Sequence, residues 1–390
     1  MLSARRIFLS LSLLCTFLFC SSFICPSRGI AEDCKEGLQS FKSGVNAKKK
    51  SDEIAFYEKA LSLCPSLTEA SYNLGVVREN DGELAKALEL FQTAFNQKNS
   101  ERYLSALSRI RLDLTRYEEV VTSITSWLDL SQNQDNGRAT AELYLLRGAA
   151  FMGLNVLEKA KKDFEMAVKL DPDSASAHQN LGVVNERQGI VSTAFEEYEK
   201  ALVLEPGKKE SLYGKAVLLF KRSSFPESIE ALELLTSQHE DFASAWNLLG
   251  QCYLETGDLD RAEVSLRKAL AVSPAYVKTR ESLAQLLLKK QQPSLALDVL
   301  KGIPDSEKER SSSVLTLVGW AQGDLGKLDE AKITLTKAVR LDSGDPRAAH
   351  NLGVVLERLG DKSGALKAFK KALQLDPSLE ETSKSVSRLE

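Results

Sequence analysis

Glycines seven residues apart recur along this chain at Gly75/Gly82, Gly182/Gly189, Gly250/Gly257, Gly319/Gly326 and Gly353/Gly360. Gly319 and Gly353 are 34 residues apart and Gly182 and Gly250 are 68 apart; Pro172, Pro206 and Pro274 repeat the same two intervals. Breakers on a fixed period mean that one supersecondary unit is copied, because a unit too small to bury its own apolar face must stack on a neighbour of the same design. The 390 residues therefore need not divide into globular domains of about 150 residues. Each period holds two amphipathic stretches. Over 175–208 the first carries Ala177, Leu181 and Val184 at helical spacing and stops at Gly189; the second carries Ala194, Tyr198, Ala201 and Leu204 on one face and stops at Pro206. The spacing predicts a helical hairpin per period and an all-helical array.

The first 31 residues stand outside that pattern. Arg5 and Arg6 precede an uncharged apolar run, Ile7 to Cys25, which Pro26 ends, and Gly29-Ile30-Ala31 then offers small residues to a signal peptidase. This predicts an export signal over 1–31, cleaved after Ala31; Arg5-Arg6-Ile7-Phe8-Leu9 also matches a twin-arginine signal over a short span. The alternative is an uncleaved inner-membrane anchor facing the periplasm, since the 19 residues of the run come near the ~20 that span a bilayer. Five hydroxyl side chains in the run favour cleavage and a periplasmic or secreted mature chain. Membrane association is expected only through this segment. Without it the chain has 48 basic against 54 acidic side chains, and Lys48-Lys49-Lys50 is a lone basic run, so a nucleic-acid partner is not expected.

The residues of the period carry a family likeness. Asn180-Leu181-Gly182, Gly189, Ala194, Tyr198, Ala201 and Pro206 resemble the tetratricopeptide repeat, with Leu-Gly at positions 7 and 8, Gly at 15, Ala at 20, an aromatic at 24, Ala at 27 and Pro at 32. The match recurs at 68–100, 141–174, 243–276, 312–345 and 346–379. Four further units, 34–67, 101–134, 209–242 and 277–310, follow from register and are degenerate; the first has Phe41 at the glycine position, and the last has Pro293 and Pro304 out of place. The expected organisation is repeats 1–3 over 32–134, repeats 4–8 over 141–300, repeats 9–10 over 312–379 and a capping helix over 380–390. Ser131 to Arg138 and Gly302 to Ser312 are expected as surface loops. The resemblance implies a right-handed α-solenoid of about ten repeats, whose concave face is lined by the first helix of each.

Catalytic chemistry is missing from the sequence. His178, His239 and His350 stand in no metal-ligand spacing, His239-Glu240 lacks the second histidine of a zinc-protease motif, and Gly326-Lys327 is followed by Leu328 where a phosphate loop needs a hydroxyl. Neither an enzyme, a cofactor, a metal nor a small-molecule substrate is expected. The resemblance instead implies a protein or peptide partner held by positions 2, 5, 9, 12 and 13 of each repeat, with position 6 nearby. Those positions supply Tyr213, Val217, Phe220, Asn247, Gln251, Leu254 and Glu255, then Glu281 and Gln285, then Trp320. Tyr213, Phe220 and Trp320 are either binding anchors or gap fillers between helices. Asn73, Asn180 and Asn351 share position 6 in the string Asn-Leu-Gly-Val-Val, where an amide either meets a peptide backbone or bonds locally between helices. No lysine occupies position 5, which separates this chain from the chaperone-binding branch of the family.

Cys34 precedes the first helix of the first repeat and Cys64 follows its second, so an antiparallel hairpin brings the two together and a disulfide is expected in an oxidising compartment. Cys252 reads as a buried apolar residue. The expected function is that of a non-enzymatic interaction scaffold of the bacterial cell envelope, or alternatively a regulatory or substrate-recruiting subunit of an envelope enzyme complex that secretes polysaccharide or assembles pili or cell wall.

Overall fold

The computed structural model describes residues 27–130 and 137–390, and among these there is no β-strand. The chain forms two compact units, 1–132 and 133–390. The first contains α1 (Ser27–Val45), α2 (Lys50–Leu63), α3 (Thr68–Asn80), α4 (Leu84–Gln97), α5 (Glu101–Asp113) and α6 (Tyr117–Leu130). The second contains α7 (Arg138–Gly153), α8 (Leu157–Leu170), α9 (Ala175–Arg187), α10 (Val191–Leu204), α11 (Lys209–Lys221), α12 (Phe225–Gln238), α13 (Ala243–Thr256), α14 (Leu259–Val272), α15 (Val277–Lys289), α16 (Pro293–Lys301), α17 (Asp305–Lys308), α18 (Ser312–Asp324), α19 (Leu328–Leu341), α20 (Pro346–Arg358), α21 (Lys362–Leu375) and α22 (Glu380–Leu389). Consecutive helices pair as antiparallel hairpins, three in the first unit and seven in the second, and α22 packs on α21 as the cap. Each unit is an α-solenoid in which hairpin stacks on hairpin.

What fixes the hairpin is a contact between position 8 of the first helix and position 24 of the second. A Cβ added at Gly75, Gly148, Gly182 or Gly353 would lie 2.5–2.7 Å from a ring carbon of Phe91, Phe164, Tyr198 or Phe369. At Gly250 and Gly319 the partner is Leu266 or Leu335, again 2.5–2.6 Å from an added Cβ. In the degenerate repeats the glycine becomes Ser108, Ala216 or Ala284, and the partner is aliphatic: Ile124, Leu232 or Leu300. Every member of these pairs is buried. Between the aromatic and the degenerate pairs the summed volume is nearly conserved while its division between the helices shifts, which is the substitution pattern a close-packed interior tolerates; glycine with Leu266 or Leu335 makes a smaller sum. In the first repeat Phe41 lies against Tyr57 with ring centroids 5.7 Å apart, and the close approach passes to Gly44 one turn further on, whose added Cβ would meet Tyr57 at 2.6 Å.

The turn inside each hairpin is equally regular. Position 15 has positive φ in all nine repeats after the first, at Gly82, Gly189, Gly257, Gly326 and Gly360 but also at Thr115, Asn155, Ser223 and Gln291. The next residue donates its N–H five residues back, as in Ile190 to Asn185 (2.8 Å) and Gln292 to Leu287 (2.8 Å), closing the helix as a Schellman motif does. Tertiary packing therefore holds the left-handed turn even where the glycine is gone. Between hairpins a second device recurs: the side chain at position 4 donates to the carbonyl six residues earlier, from Trp246 Nε1 to Glu240 (2.9 Å) and Arg280 Nη2 to Pro274 (2.9 Å), and His178 Nε2 bonds Pro172 in the same way (3.0 Å).

Two expectations change. The loop expected over Gly302 to Ser312 contains a short helix, α17, and buries Ile303. The cause is α16, nine residues against the fourteen of α14, which starts at Pro293, where a missing N–H costs nothing, and leaves α17, capped by Pro304, to fill the remaining space. Of the other expected loop, 131–136 lie outside the described residues, and Arg138 already begins α7. The export segment also lies outside them up to residue 26; α1 runs from Ser27 through the expected cleavage point after Ala31. Among the described residues no helix is long and apolar enough to cross a membrane. Cys34 and Cys64 are joined by a disulfide, and Cys252 is free and buried.

The position-8/position-24 contact predicts that Gly148→Ala lowers stability by about 1–3 kcal/mol. Pairing it with Phe164→Leu is expected to give a loss smaller than the sum of the single variants, read as the coupling energy of a double-mutant cycle in urea denaturation. Additive losses would remove the volume rule. At the turn, Gln291→Gly is expected to raise the melting temperature, because the left-handed conformation costs a side-chain residue about 1–2 kcal/mol, part of which glycine returns as unfolded-state entropy.

Candidate functional site

In the second unit the first helices of successive hairpins lie side by side: α9 beside α11, then α13, α15, α18 and α20. Residues at three- and four-residue spacing on each therefore form one wall. Toward the C-terminus this wall holds a cleft of about 880 Å³, lined by α13, α15, α18, α20 and the first turn of α22. One edge carries Lys278, Ser313 and Arg347, with Glu380 and Glu381 of α22; the floor carries Glu281, Thr316 and His350, followed by Gln251, Gln285, Trp320 and Val354; the other edge carries Asp324 and Arg358. In repeat register these are positions 2, 5, 9 and 13.

Hydrogen bonds set most of these side chains. Gln251 Nε2 donates to Ser282 Oγ (2.9 Å), tying α13 to α15. The Ser311 hydroxyl, 3.4 Å away, donates to Glu281 Oε1 across to the start of α18. Arg358 Nη1 donates to the Gly323 carbonyl (2.7 Å), tying α20 to α18. His350 Nδ1 pairs with Thr382 Oγ1 (2.7 Å), and its ring lies 5.6 Å from that of Phe369. With the Arg388–Glu357 pair (2.8 Å) and the packing of Val386 and Leu389 against Leu356 and Phe369, this holds α22 at the end of the cleft. Burial pushes the Glu281 carboxyl above the usual range, against the hydroxyls of Ser311 and Ser313, which act the other way. Partial burial raises the Asp324 carboxyl despite a hydrogen bond with Trp320 and the nearby Arg358 guanidinium. Burial holds His350 below the usual histidine range, with Glu381 opposing it.

The cleft brings together Gln251, Trp320 and Asn351 among the candidate residues, along with Glu281 and Gln285. Tyr213, Val217, Phe220, Asn180, Asn247, Leu254 and Glu255 do not line it. Leu254 and Asn247 are buried, so neither presents a surface to a partner. Tyr213 packs on Phe242 with ring centroids 5.0 Å apart and Phe220 on Phe225 at 5.5 Å, and both lie with Val217 and Trp320 against the core cluster. Among the position-6 asparagines, Asn73 Nδ2 donates locally to the Tyr57 hydroxyl (3.3 Å), whereas Asn351 faces the cleft. Lys278, Asp324, Arg347 and Arg358 were legible from the same register applied to the last three repeats. Thr382 and its neighbours lie past the last repeat, where no register reaches.

Models of the tetratricopeptide repeat match residues 145–209, 213–277, 253–321, 312–345 and 346–379. BBSome complex member BBS4 of Bos taurus is 22% identical over 255 residues, covering 62% of this chain and 49% of that protein. Its Xenopus tropicalis counterpart is 22% identical over 349 residues, covering 80% and 66%, so the chain spans about half to two thirds of these relatives. Protein O-mannosyl-transferase TMTC1 of Homo sapiens is 26% identical over 166 residues, only 18% of that protein. Among solved structures, a tetratricopeptide repeat protein from Parabacteroides merdae has a TM-score of 0.51 and 19% identity, covering 64% of this chain and 98% of that one, a likeness of fold alone.

The half-buried His350 gives a pH prediction. Its folded pKa lies below the unfolded one, so as pH falls the unfolded chain takes the proton first. Stability is expected to fall on acidification from about pH 7.5, by less than about 1.4 kcal/mol per pH unit, and to level off once folded His350 is also protonated. Thermal melts of His350→Gln are expected to lack this component; an unchanged pH profile would place the dependence elsewhere.

Proposed function

The chain belongs to the tetratricopeptide repeat family, whose members bind protein or peptide partners, and from that premise we propose an exported, non-enzymatic scaffold of the bacterial cell envelope. It takes an extended segment of a partner protein in the cleft between α13 and α22. The single observation that carries this is the cleft itself: an open cleft of about 880 Å³ whose lining combines polar and charged side chains with the apolar surfaces of Leu317, Trp320 and Val354. An extended chain offers both backbone amides and side chains to such a lining, and a preformed groove spares part of the ordering cost of binding it. The Cys34–Cys64 disulfide is in keeping with an oxidising compartment. Arg5-Arg6 and the apolar run after them supply the route there.

A photocrosslinking side chain placed at Gln285, on the cleft floor, is expected to capture a partner from the envelope fraction, whereas one at Ile333, 73% exposed on α19 outside the cleft, is not. Equal capture at both sites would remove the cleft from the proposal. The same preparation tests export: the mature protein is expected to begin at Glu32, and recovery of the intact chain from the cytoplasm would remove the envelope assignment.

A further inference from the structure

We propose that His178 is a proton-operated clamp between the hairpin of α7 and α8 and that of α9 and α10, closed while its imidazole carries both ring protons and loosened when one is lost. His178 stands at position 4, in the first turn of α9, and is buried together with Glu197 of α10. Its Nε2 lies 3.0 Å from the Pro172 carbonyl, in the link between α8 and α9, and its Nδ1 lies 2.6 Å from Glu197 Oε2. A peptide carbonyl only accepts, so Nε2 carries a hydrogen. An ionised carboxylate also only accepts, so Nδ1 carries one too. Lys200 Nζ, 2.7 Å from the other carboxylate oxygen, Oε1, favours the ionised form of Glu197 and so leaves the proton on the ring.

A neutral imidazole has one hydrogen and cannot serve both acceptors. Losing the proton sets a ring lone pair against either the Glu197 carboxylate or the Pro172 carbonyl, and an unmade bond of that kind is costly at a buried site. The same bond in two later repeats escapes this dependence, because the Trp246 indole and the Arg280 guanidinium, which make it to Glu240 and Pro274, donate at every ordinary pH. The other charges near the ring have their own places. On α10, Glu196 and Glu199 line one surface pocket with His178 and Lys200, and Glu199 pairs with Lys215 of α11 (2.9 Å). In the link, Asp171 pairs with Arg138 of α7 (3.4 Å) and Asp173 is exposed, as is Lys169 at the end of α8; α9 itself carries no further charge before Glu186. His178 bonds none of these. The folded chain thus holds a proton that the unfolded chain gives up above about pH 6.5, so the clamp contributes fully below that pH and is lost as pH rises through the titration of the folded pair. α7 and α9 are neighbours in the row of first helices, and the clamp therefore sets how firmly that wall continues from one hairpin to the next.

The test uses the full chain, whose three histidines keep ring-nitrogen NMR of histidine-labelled protein simple to assign, with His178→Gln identifying the signals. At about pH 6 both ring nitrogens of His178 are expected to carry hydrogen, and one is expected to lose it before about pH 9. Over that same interval the hydrogen-exchange protection of residues 171–181, corrected for intrinsic rates, is expected to fall by at least about fivefold, with a ceiling of about tenfold per pH unit for one proton. Glu197→Gln supplies an amide that donates to a neutral Nδ1, so its ring is expected to show a single hydrogen at neutral pH and its protection to stay flat. His178→Arg, the donor that Arg280 already is, is expected to stay flat as well. His350, whose own pH effect has the opposite sign, is common to all these proteins and cancels between them. Should a variant fold poorly, the titration of the unaltered chain decides alone. A ring with one hydrogen at pH 6 overturns the clamp, and one with both at pH 9 leaves a fixed ion pair and no switch. Protection that falls equally in Glu197→Gln, or that falls without the ring titrating, overturns it too.

Discussion

The close approach of position 8 to position 24 is the contact on which the rest depends. It sets the distance between the helices of a hairpin, and the face that hairpin offers to the next is set by it in turn. Tyr198 shows the linkage. Its ring lies against Gly182 in its own hairpin and Gly214 in the following one, an added Cβ on either side would come within 2.5–2.7 Å, and its hydroxyl donates to Glu186 (3.0 Å). Burial together with that carboxylate drives the phenol far above its usual range, so it stays neutral and keeps donating. One side chain thus fixes an intra-hairpin spacing and an inter-hairpin spacing at once, and a change in its size is felt in both.

The same contact explains why the degenerate repeats fold alike. A motif scored by residue identity loses 101–134, 209–242 and 277–310, because glycine has become Ser108, Ala216 or Ala284. Scored by volume they belong, since Ile124, Leu232 and Leu300 have given up what the small residue gained. The turn follows the same logic in reverse: Thr115, Asn155, Ser223 and Gln291 accept a strained φ because the two helices they join are already placed. The strain is of order 1–2 kcal/mol per turn, small against the burial of a hairpin interface.

Legibility from the sequence therefore differed by level. Period, hairpins, cap and register could be read, because each is a short-range consequence of helix breakers and apolar spacing. Which groove residues meet a partner could not, since that depends on how far each first helix stands from the next. Leu254 and Asn247 occupy groove positions in the register, yet both are buried, whereas Gln251 on the same helix is half open. The aromatics are ambiguous in the register for a related reason. Tyr213 and Phe220 sit where a ring could serve either a ligand or a neighbour, and Phe242 and Phe225 happen to be within reach. Trp320 has no such neighbour among the aromatic pairs; it packs against the same core cluster and also lines the cleft.

The position of the cleft follows from how the hairpin of α20 and α21 is covered. Each earlier hairpin is covered by the next, and this one is covered by a single element with a polar outer face. That element is α22, which turns Val386 and Leu389 inward and leaves Glu380, Glu381, Ser383, Lys384, Ser387 and Arg388 exposed. This helix follows α21 where a first helix would, and its first turn joins the wall formed by α15, α18 and α20. The His350–Thr382 bond fixes that turn, and Thr382 is buried by it. Capping the core and closing the cleft are thus two effects of one helix, and the charges that keep its outer face soluble include the two glutamates that line the cleft edge.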